Sequence, residues 1–527
     1  MALDLDDRTP DLSRASDVGA RRLPRSTPEQ QGVDPGGVAR LVRALASEAP
    51  ELHSLMLVRH GFVVAEAWAA PFSSDRTHLL YSLSKTFTAS AVGFARAEGL
   101  LDLDDLLVEL LARLTPGHVS DEALGGLDAG ARALLGRLRV RDLLTMTSGH
   151  DADPSEAVFA GEDWLAGFLA QPLAHEPGTH FVYNTAATYV LAELVQRAAG
   201  VGLVEYLRLR LYEPLGIVGV TWELSPTGYE VGGFGMSATT EDLAVLGELF
   251  LRDGVWAGRQ VLPEGWAALA SAAQVPSGWG GPAEDDSDSD WSQGYGFQMW
   301  RSRHGGYRGD GAFGQYCLVL PEQDAVVAIT ASVPDMGAQL AIVWEHLLPA
   351  FAPDELPDDP AGRAALAAAV DGLRLDPPQG PASSAVGDAA AGRRVAFAAN
   401  PAGLRSVVLR PGVTDELELT FDEGVVALVA GHGEAVNQPV PMPAHGNAPV
   451  LQADPVHGRT GIGWQDAAVS AIWPEPDLYR ITVRLLGMPH TLTIDARWSG
   501  SSVTVTGGFD LWMGDGRLPT LIGTIEG

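Results

Sequence analysis

Tyr81-Ser82-Leu83-Ser84-Lys85-Thr86-Phe87 is the stretch on which the reading of this chain turns. Lys85 is its only lysine; of 35 Lys and Arg residues, the other 34 are arginine. A guanidinium stays charged at any accessible pH, whereas a desolvated lysine can lose its proton and act as a base. One retained lysine points to a task that arginine cannot perform. Ser82 lies three residues before it. From Ser82 to Glu98 the pattern is helical, with Phe87, Ala91, Phe94 and Ala95 at helical spacing and Gly99 where a cap is expected. Residues i and i+3 at a helix start share a face. The helix N-terminus favours a serine oxyanion, and a neutral lysine beside it can take the serine proton. Spacing alone does not separate S-x-x-K from chance; the lone lysine and the helix placement raise it.

Two more segments carry chemistry. In Pro177-Gly178-Thr179-His180-Phe181-Val182-Tyr183-Asn184-Thr185 a turn leads into a predicted helix, Thr185 to Ala199, ended by Gly200. A phenol at that helix start can relay a proton to a leaving group, and a positive neighbour such as Lys85 would favour its ionised form. Taken alone, Tyr183 reads equally as a half-buried aromatic. Gly309-Asp310-Gly311-Ala312-Phe313-Gly314-Gln315 opens a predicted strand from Gly311 to Leu320. Small residues let backbone approach a substrate, and the Ala312 and Ser82 N–H groups can form an oxyanion hole. Taken alone, this segment reads as a glycine-rich turn.

Composition bounds the possibilities. The net charge of -32 argues against nucleic-acid binding and against anionic membranes. The single cysteine, Cys317, sits in a strand-like run and reads as a small core residue. The first 25 residues carry Asp4, Asp6, Asp7 and Asp11 with no apolar core, unlike a signal peptide or anchor. A cytoplasmic location is expected. Gly278 to Asp290, with the acidic run Glu284 to Asp290, is expected to be an exposed loop without EF-hand spacing. No His/Asp/Glu cluster shows ligand spacing, so neither metal nor cofactor is expected.

The length suggests several domains. Residues 1–26 are expected to be a flexible lead-in. Residues 27–352 alternate strand-like and helix-like segments. These include a hairpin around Arg59-His60-Gly61 and a helix from Glu241 to Leu251 capped by Thr239 or Thr240. Residues 353–392 read as a linker with an Ala-rich helix from Ala361 to Leu373, and Asp376 to Gly392 as extended or mobile. Residues 393–527 show period-two runs such as Glu416-Leu417-Glu418-Leu419-Thr420-Phe421, which predict an antiparallel β-barrel or β-sandwich.

Together the three motifs, in this chain order, resemble the serine β-lactamase and penicillin-binding-protein superfamily. Residues 27–350 are similar to the branch of class C β-lactamases, esterases, D,D-peptidases and 6-aminohexanoate-dimer hydrolases. Leu143-Leu144-Thr145-Met146-Thr147-Ser148-Gly149, Pro214-Leu215-Gly216 and Gly232-Gly233-Phe234-Gly235-Met236-Ser237 add to the likeness. The resemblance implies an α+β fold, an antiparallel sheet flanked by helices plus an all-helical lobe, with the site between. It implies Ser82 as nucleophile, Lys85 as base, Tyr183 as second proton-transfer group and the Ser82 and Ala312 amides as oxyanion hole. Asn184, Thr185, Gly309, Asp310 and Gly311 become candidates for substrate contact.

Two departures shape the expected substrate. The family's Tyr-x-Asn is here Tyr183-Asn184-Thr185, and its third motif begins with Lys or His where this chain has Gly309. The cation that would hold a substrate carboxylate is missing, unless Arg308 or His304 replaces it. This lowers β-lactamase and D,D-peptidase activity and raises hydrolysis of a small ester or amide. Amidase action on D-amino-acid amides and acyl transfer use the same residues. A non-catalytic sensor is the reading from another class; such a module has no need of Ser82, Lys85 and Tyr183 together.

Overall fold

The computed structural model describes residues 22–49, 51–278, 288–422, 424–442 and 463–526. Its centre is a six-stranded antiparallel sheet in the order Phe62–Trp68, Leu52–Arg59, Ala325–Ala331, Gln315–Leu320, Tyr307–Gly311, Trp300–Arg301. The middle strands are buried along their whole length because helices cover both faces. Met56, Val58, Val326 and Ala328 point to one face, where the Thr240–Leu251 helix packs. Leu55, Leu57, Val327 and Ile329 point to the other, against the Pro35–Glu48 and Met336–Leu347 helices. This is the period-two alternation of strand side chains. Gly247 allows the close approach on the first face, since a Cβ there would lie 2.4 Å from Val326 Cγ1.

Local signals set the helix ends. Thr239 and Asp242 form a reciprocal capping box. Asp34, Asp335 and Asp359 cap the Pro35, Met336 and Pro360 helices with their carboxylates. Gly200, at φ 71°, ends the Thr185–Ala199 helix in the left-handed conformation. Leu107–Leu114, Thr185–Ala199 and shorter helices form the helical lobe beside the sheet. Among the described residues no helix is long and apolar enough to cross a membrane.

The C-terminal part is one continuous ten-stranded antiparallel sheet running from Val425–Ala430 at one edge to Val436–Met442 at the other. It curls until the edges meet: the Gln438 side chain hydrogen-bonds both the N–H and the C=O of Val429. It is therefore a near-barrel rather than a two-sheet sandwich. Its Leu485–His490 turn docks on the first domain, where Gly487 O accepts from Leu79 N at 2.7 Å and Pro489 O from Ser332 Oγ at 2.8 Å.

Several expectations need correction. Residues 22–26 are held: Arg22 pairs with Asp242 at 2.6 Å, and Arg25 bridges Glu66 and Glu241. Residues 1–21 lie outside the described residues, as do 279–287 of the acidic loop. The stretch from Asp376 to Gly392 contains a helix, Ala385–Ala390, capped by Ser384 and packed through Gly387 against Trp473. The strand expected from Gly311 to Leu320 is two strands, because Phe313 and Gly314 both turn at positive φ.

Candidate active site

Ser82 does not lie within the α-helix itself. It occupies a one-turn 3-10 helix, Tyr81–Leu83, which feeds the Ser84–Ala97 helix. Tyr81 adopts φ 50°, a left-handed conformation costly for a side chain with a Cβ. It is held there by its surroundings. Its hydroxyl is hydrogen-bonded to Nε2 of His490 from the near-barrel, and its ring meets Phe313 edge-on at 5.3 Å.

Lys85 follows one turn later and is 1% exposed. Its Nζ lies 2.9 Å from Ser82 Oγ, 3.2 Å from Thr185 Oγ1 and 2.7 Å from the carbonyl oxygen of Gly233. Burial pushes its pKa down to about 7, against the opposing pull of Asp153 and Asp310. Near neutrality the amine can therefore be uncharged. Two N–H groups then serve Gly233 O and Thr185 Oγ1, leaving a lone pair for the Ser82 proton.

Tyr183 joins them from the start of the Thr185–Ala199 helix. Its hydroxyl is bonded to Ser82, and Lys85 Nζ stands 4.9 Å from its ring centroid. Trp300 stacks on the ring at 5.3 Å, with Tyr295 edge-on behind it. The expectation that a cation would ionise this phenol is overturned. Burial, and next the Asp310 carboxylate, raise its pKa above the ordinary tyrosine value, so it keeps its proton.

The Tyr307–Gly311 strand closes the site without side chains. A Cβ on Gly311 would stand 1.9 Å from Leu80 O, and one on Gly309 2.4 Å from Thr86 Oγ1. The strand backbone thus lies directly on the Ser82 turn, and Ala312 and Phe313 pack with Tyr81. Neither glycine position can present a group to substrate.

The remaining candidates divide. Thr185 faces the site through Lys85. Asn184 does not: it is fully buried and caps its helix, Oδ1 accepting from Ala187 N at 3.0 Å and Nδ2 donating to Ser148 Oγ at 3.2 Å. Asp310 is also turned inward, paired with Arg308 at 3.0 Å. Arg308 is fully buried and further donates to Asp290 O and Ser302 Oγ, so it is no cation for a substrate carboxylate. His304 sits in the exposed turn at the far end of this strand from Gly311. Among other aromatic side chains, Tyr295 lies behind Tyr183, Trp291 stacks on Arg308 and Trp164 is core, while Trp279 falls outside the described residues.

Gly233 O, Trp300 and His490 escape a sequence reading, since each arrives from more than 110 residues away and one is a backbone atom. Long-range folding also brings Asp151, His175 and His180 within 4.8 Å of one another, a grouping that spacing along the chain does not show. The two imidazoles stack face to face at 3.9 Å.

This geometry, a serine with a buried lysine and a tyrosine between a helical lobe and an antiparallel sheet, defines the class of serine hydrolases on the β-lactamase fold. The sequence profile of the β-lactamase family matches residues 38–349, and the chain belongs to that family. A 6-aminohexanoate-dimer hydrolase from Paenarthrobacter ureafaciens is 29% identical over 325 residues, 55% of this chain and 78% of that protein. An ML-236A carboxylate methylbutanoyltransferase from Penicillium citrinum is 30% identical over 169 residues, 29% of this chain and 39% of that protein. The solved structure of a provisionally assigned 6-aminohexanoate-dimer hydrolase from Bacillus anthracis covers 64% of this chain and 89% of its own. It aligns with TM-score 0.50 at 18% identity, a likeness of fold.

Proposed function

We propose that the protein hydrolyses a small ester or amide through an acyl-enzyme on Ser82. One observation carries this reading: Lys85 Nζ is 2.9 Å from Ser82 Oγ while Gly233 O and Thr185 Oγ1 accept its other protons. Lys85 takes the Ser82 proton as Oγ attacks the carbonyl carbon. The oxyanion forms against the Ser82 and Ala312 amides. Tyr183, kept protonated, gives its proton to the leaving group and is reprotonated by Lys85, which holds the proton taken from Ser82. Water then attacks the acyl carbon, with the same groups acting in reverse.

The substrate is one without a carboxylate beside the scissile bond. Gly309 leaves no cation there, and Arg308 is locked to Asp310. This favours simple esters and amides over β-lactams and peptidoglycan stem peptides. The name of the Paenarthrobacter ureafaciens relative fits an amide, and that of the Penicillium citrinum relative fits transfer to an alcohol in place of water. Turnover of p-nitrophenyl butyrate and of nitrocefin, each beside Ser82→Ala, tests the reading. Serine-dependent ester turnover with little nitrocefin turnover supports it; the reverse preference refutes the substrate class.

A further inference from the structure

An apolar cavity lies inside the C-terminal near-barrel, away from Ser82. Its volume is about 190 Å³, and its wall includes Leu417, Leu428, Val440, Ile481, Val483 and Leu492. Each of these six is less than 10% exposed, so this part of the wall faces the barrel interior, while Arg393, Thr506 and Pro519 on its rim are exposed. The cavity exceeds the ~150 Å³ apolar cavities that stay dry and take up a small hydrocarbon. A close-packed protein leaves few voids larger than a water molecule, so a space of this size at the centre of a domain asks for an occupant.

Two polar features mark one end. Arg393 is the only charged side chain lining the cavity; it is exposed, donates to Glu526 O at 3.2 Å and makes no ion pair with any described carboxylate. In a chain of net charge -32, a lone cation on an apolar wall is a specific feature. Trp498 also lines the cavity, is 8% exposed, and its indole N–H has no hydrogen-bond partner. A buried unpaired donor is uncommon and calls for an acceptor. The strand register puts both residues at the same end. Trp498 pairs with Val503, Ser502 with Thr524, and Glu526 donates to Arg394 O beside Arg393. Of the other polar side chains on the wall, Thr506 is exposed and the Tyr479 hydroxyl is already used, donating to Asp415 at 2.7 Å.

We propose that the near-barrel binds a medium-chain aliphatic carboxylate, its chain in the apolar cavity and its head at the Arg393 and Trp498 end. The site is separate from Ser82 and does not depend on the reaction assigned there.

Octanoate is the probe, titrated by calorimetry into the full chain, with 1-octanol and octylamine as neutral and cationic controls. One octanoate per chain is expected, with octylamine failing to bind. Arg393→Gln is expected to weaken octanoate roughly tenfold, the value of a charge-assisted contact, while 1-octanol binding is unchanged. Leu417→Trp, which fills the cavity, is expected to abolish binding of both. Ester hydrolysis at Ser82 is expected to be the same in all three proteins. No saturable octanoate binding overturns the proposal. Equal affinity in Arg393→Gln and the parent also overturns it, and that surface substitution decides the matter even if Leu417→Trp fails to fold.

Discussion

Gly309 faces Thr86 with no room for a side chain, a Cβ there standing 2.4 Å from Thr86 Oγ1. The position that begins with Lys or His in the resembling family is thus closed here by backbone packing. A lysine introduced at 309 must push the strand off the helix start, overpacking that costs about 1–3 kcal/mol. Gly309→Lys is expected to lower the melting temperature and to gain no nitrocefin hydrolysis. A variant that melts with the parent and hydrolyses nitrocefin would show that the cation alone was lacking.

The pH dependence follows from Lys85. Its folded pKa is lowered to about 7 from 10.5, so the base form grows as pH rises. Below about pH 7, kcat/KM for p-nitrophenyl butyrate is expected to fall about tenfold per pH unit, and above it to level off. The same group acts on stability. Burying the amine is a cost fully present below pH 7, where the folded chain must also protonate it. The cost is relieved as pH rises from about 7 towards 10.5, because there the unfolded chain holds the extra proton. A rate profile flat from pH 5.5 to 8.5 contradicts this assignment.

Tyr183 and Thr185 are separable. Tyr183→Phe removes the proton donor while keeping the stack on Trp300, and kcat is expected to drop by about 10²–10⁴. Thr185→Ala removes one acceptor from Lys85, and the apparent pKa of the rate profile is expected to move while KM changes little. Equal kcat in Tyr183→Phe and the parent would remove Tyr183 from the mechanism.

Tyr81 carries the near-barrel's influence to Ser82. His490 holds the Tyr81 hydroxyl, and Tyr81 immediately precedes Ser82 at φ 50°. His490→Phe keeps the ring packing and loses the hydrogen bond. It is expected to reduce kcat with KM nearly unchanged, since it loosens the nucleophile and not the pocket. A change confined to KM would instead place His490 against the substrate.

Ser82 and Lys85 were legible because their contact is set by three residues of helix spacing, and Tyr183 because it opens a helix ended by a visible glycine. The central strands were legible from their apolar runs. Asp310 was misread because an acidic residue among glycines resembles a polar turn, while its burial depends on Arg308, whose guanidinium the fold turns inward. Asn184 was misread because capping and substrate contact draw on the same residue type. The Ala385–Ala390 helix hid in a Pro/Ala/Gly/Ser composition; its partner, Trp473, is far along the chain. Gly233 O has no signature, since every residue has a carbonyl.

In the proposed reaction the acyl group is carried on Ser82, with Lys85 as the base that activates it. The most direct measurement is the mass of intact protein, and of its peptides, quenched during p-nitrophenyl butyrate turnover. One butyryl group is expected on the peptide holding Ser82 in the parent, none in Ser82→Ala, and acylation slowed by about 10²–10⁴ in Lys85→Arg. A butyryl group on any other residue, or turnover preserved in Ser82→Ala, would contradict it.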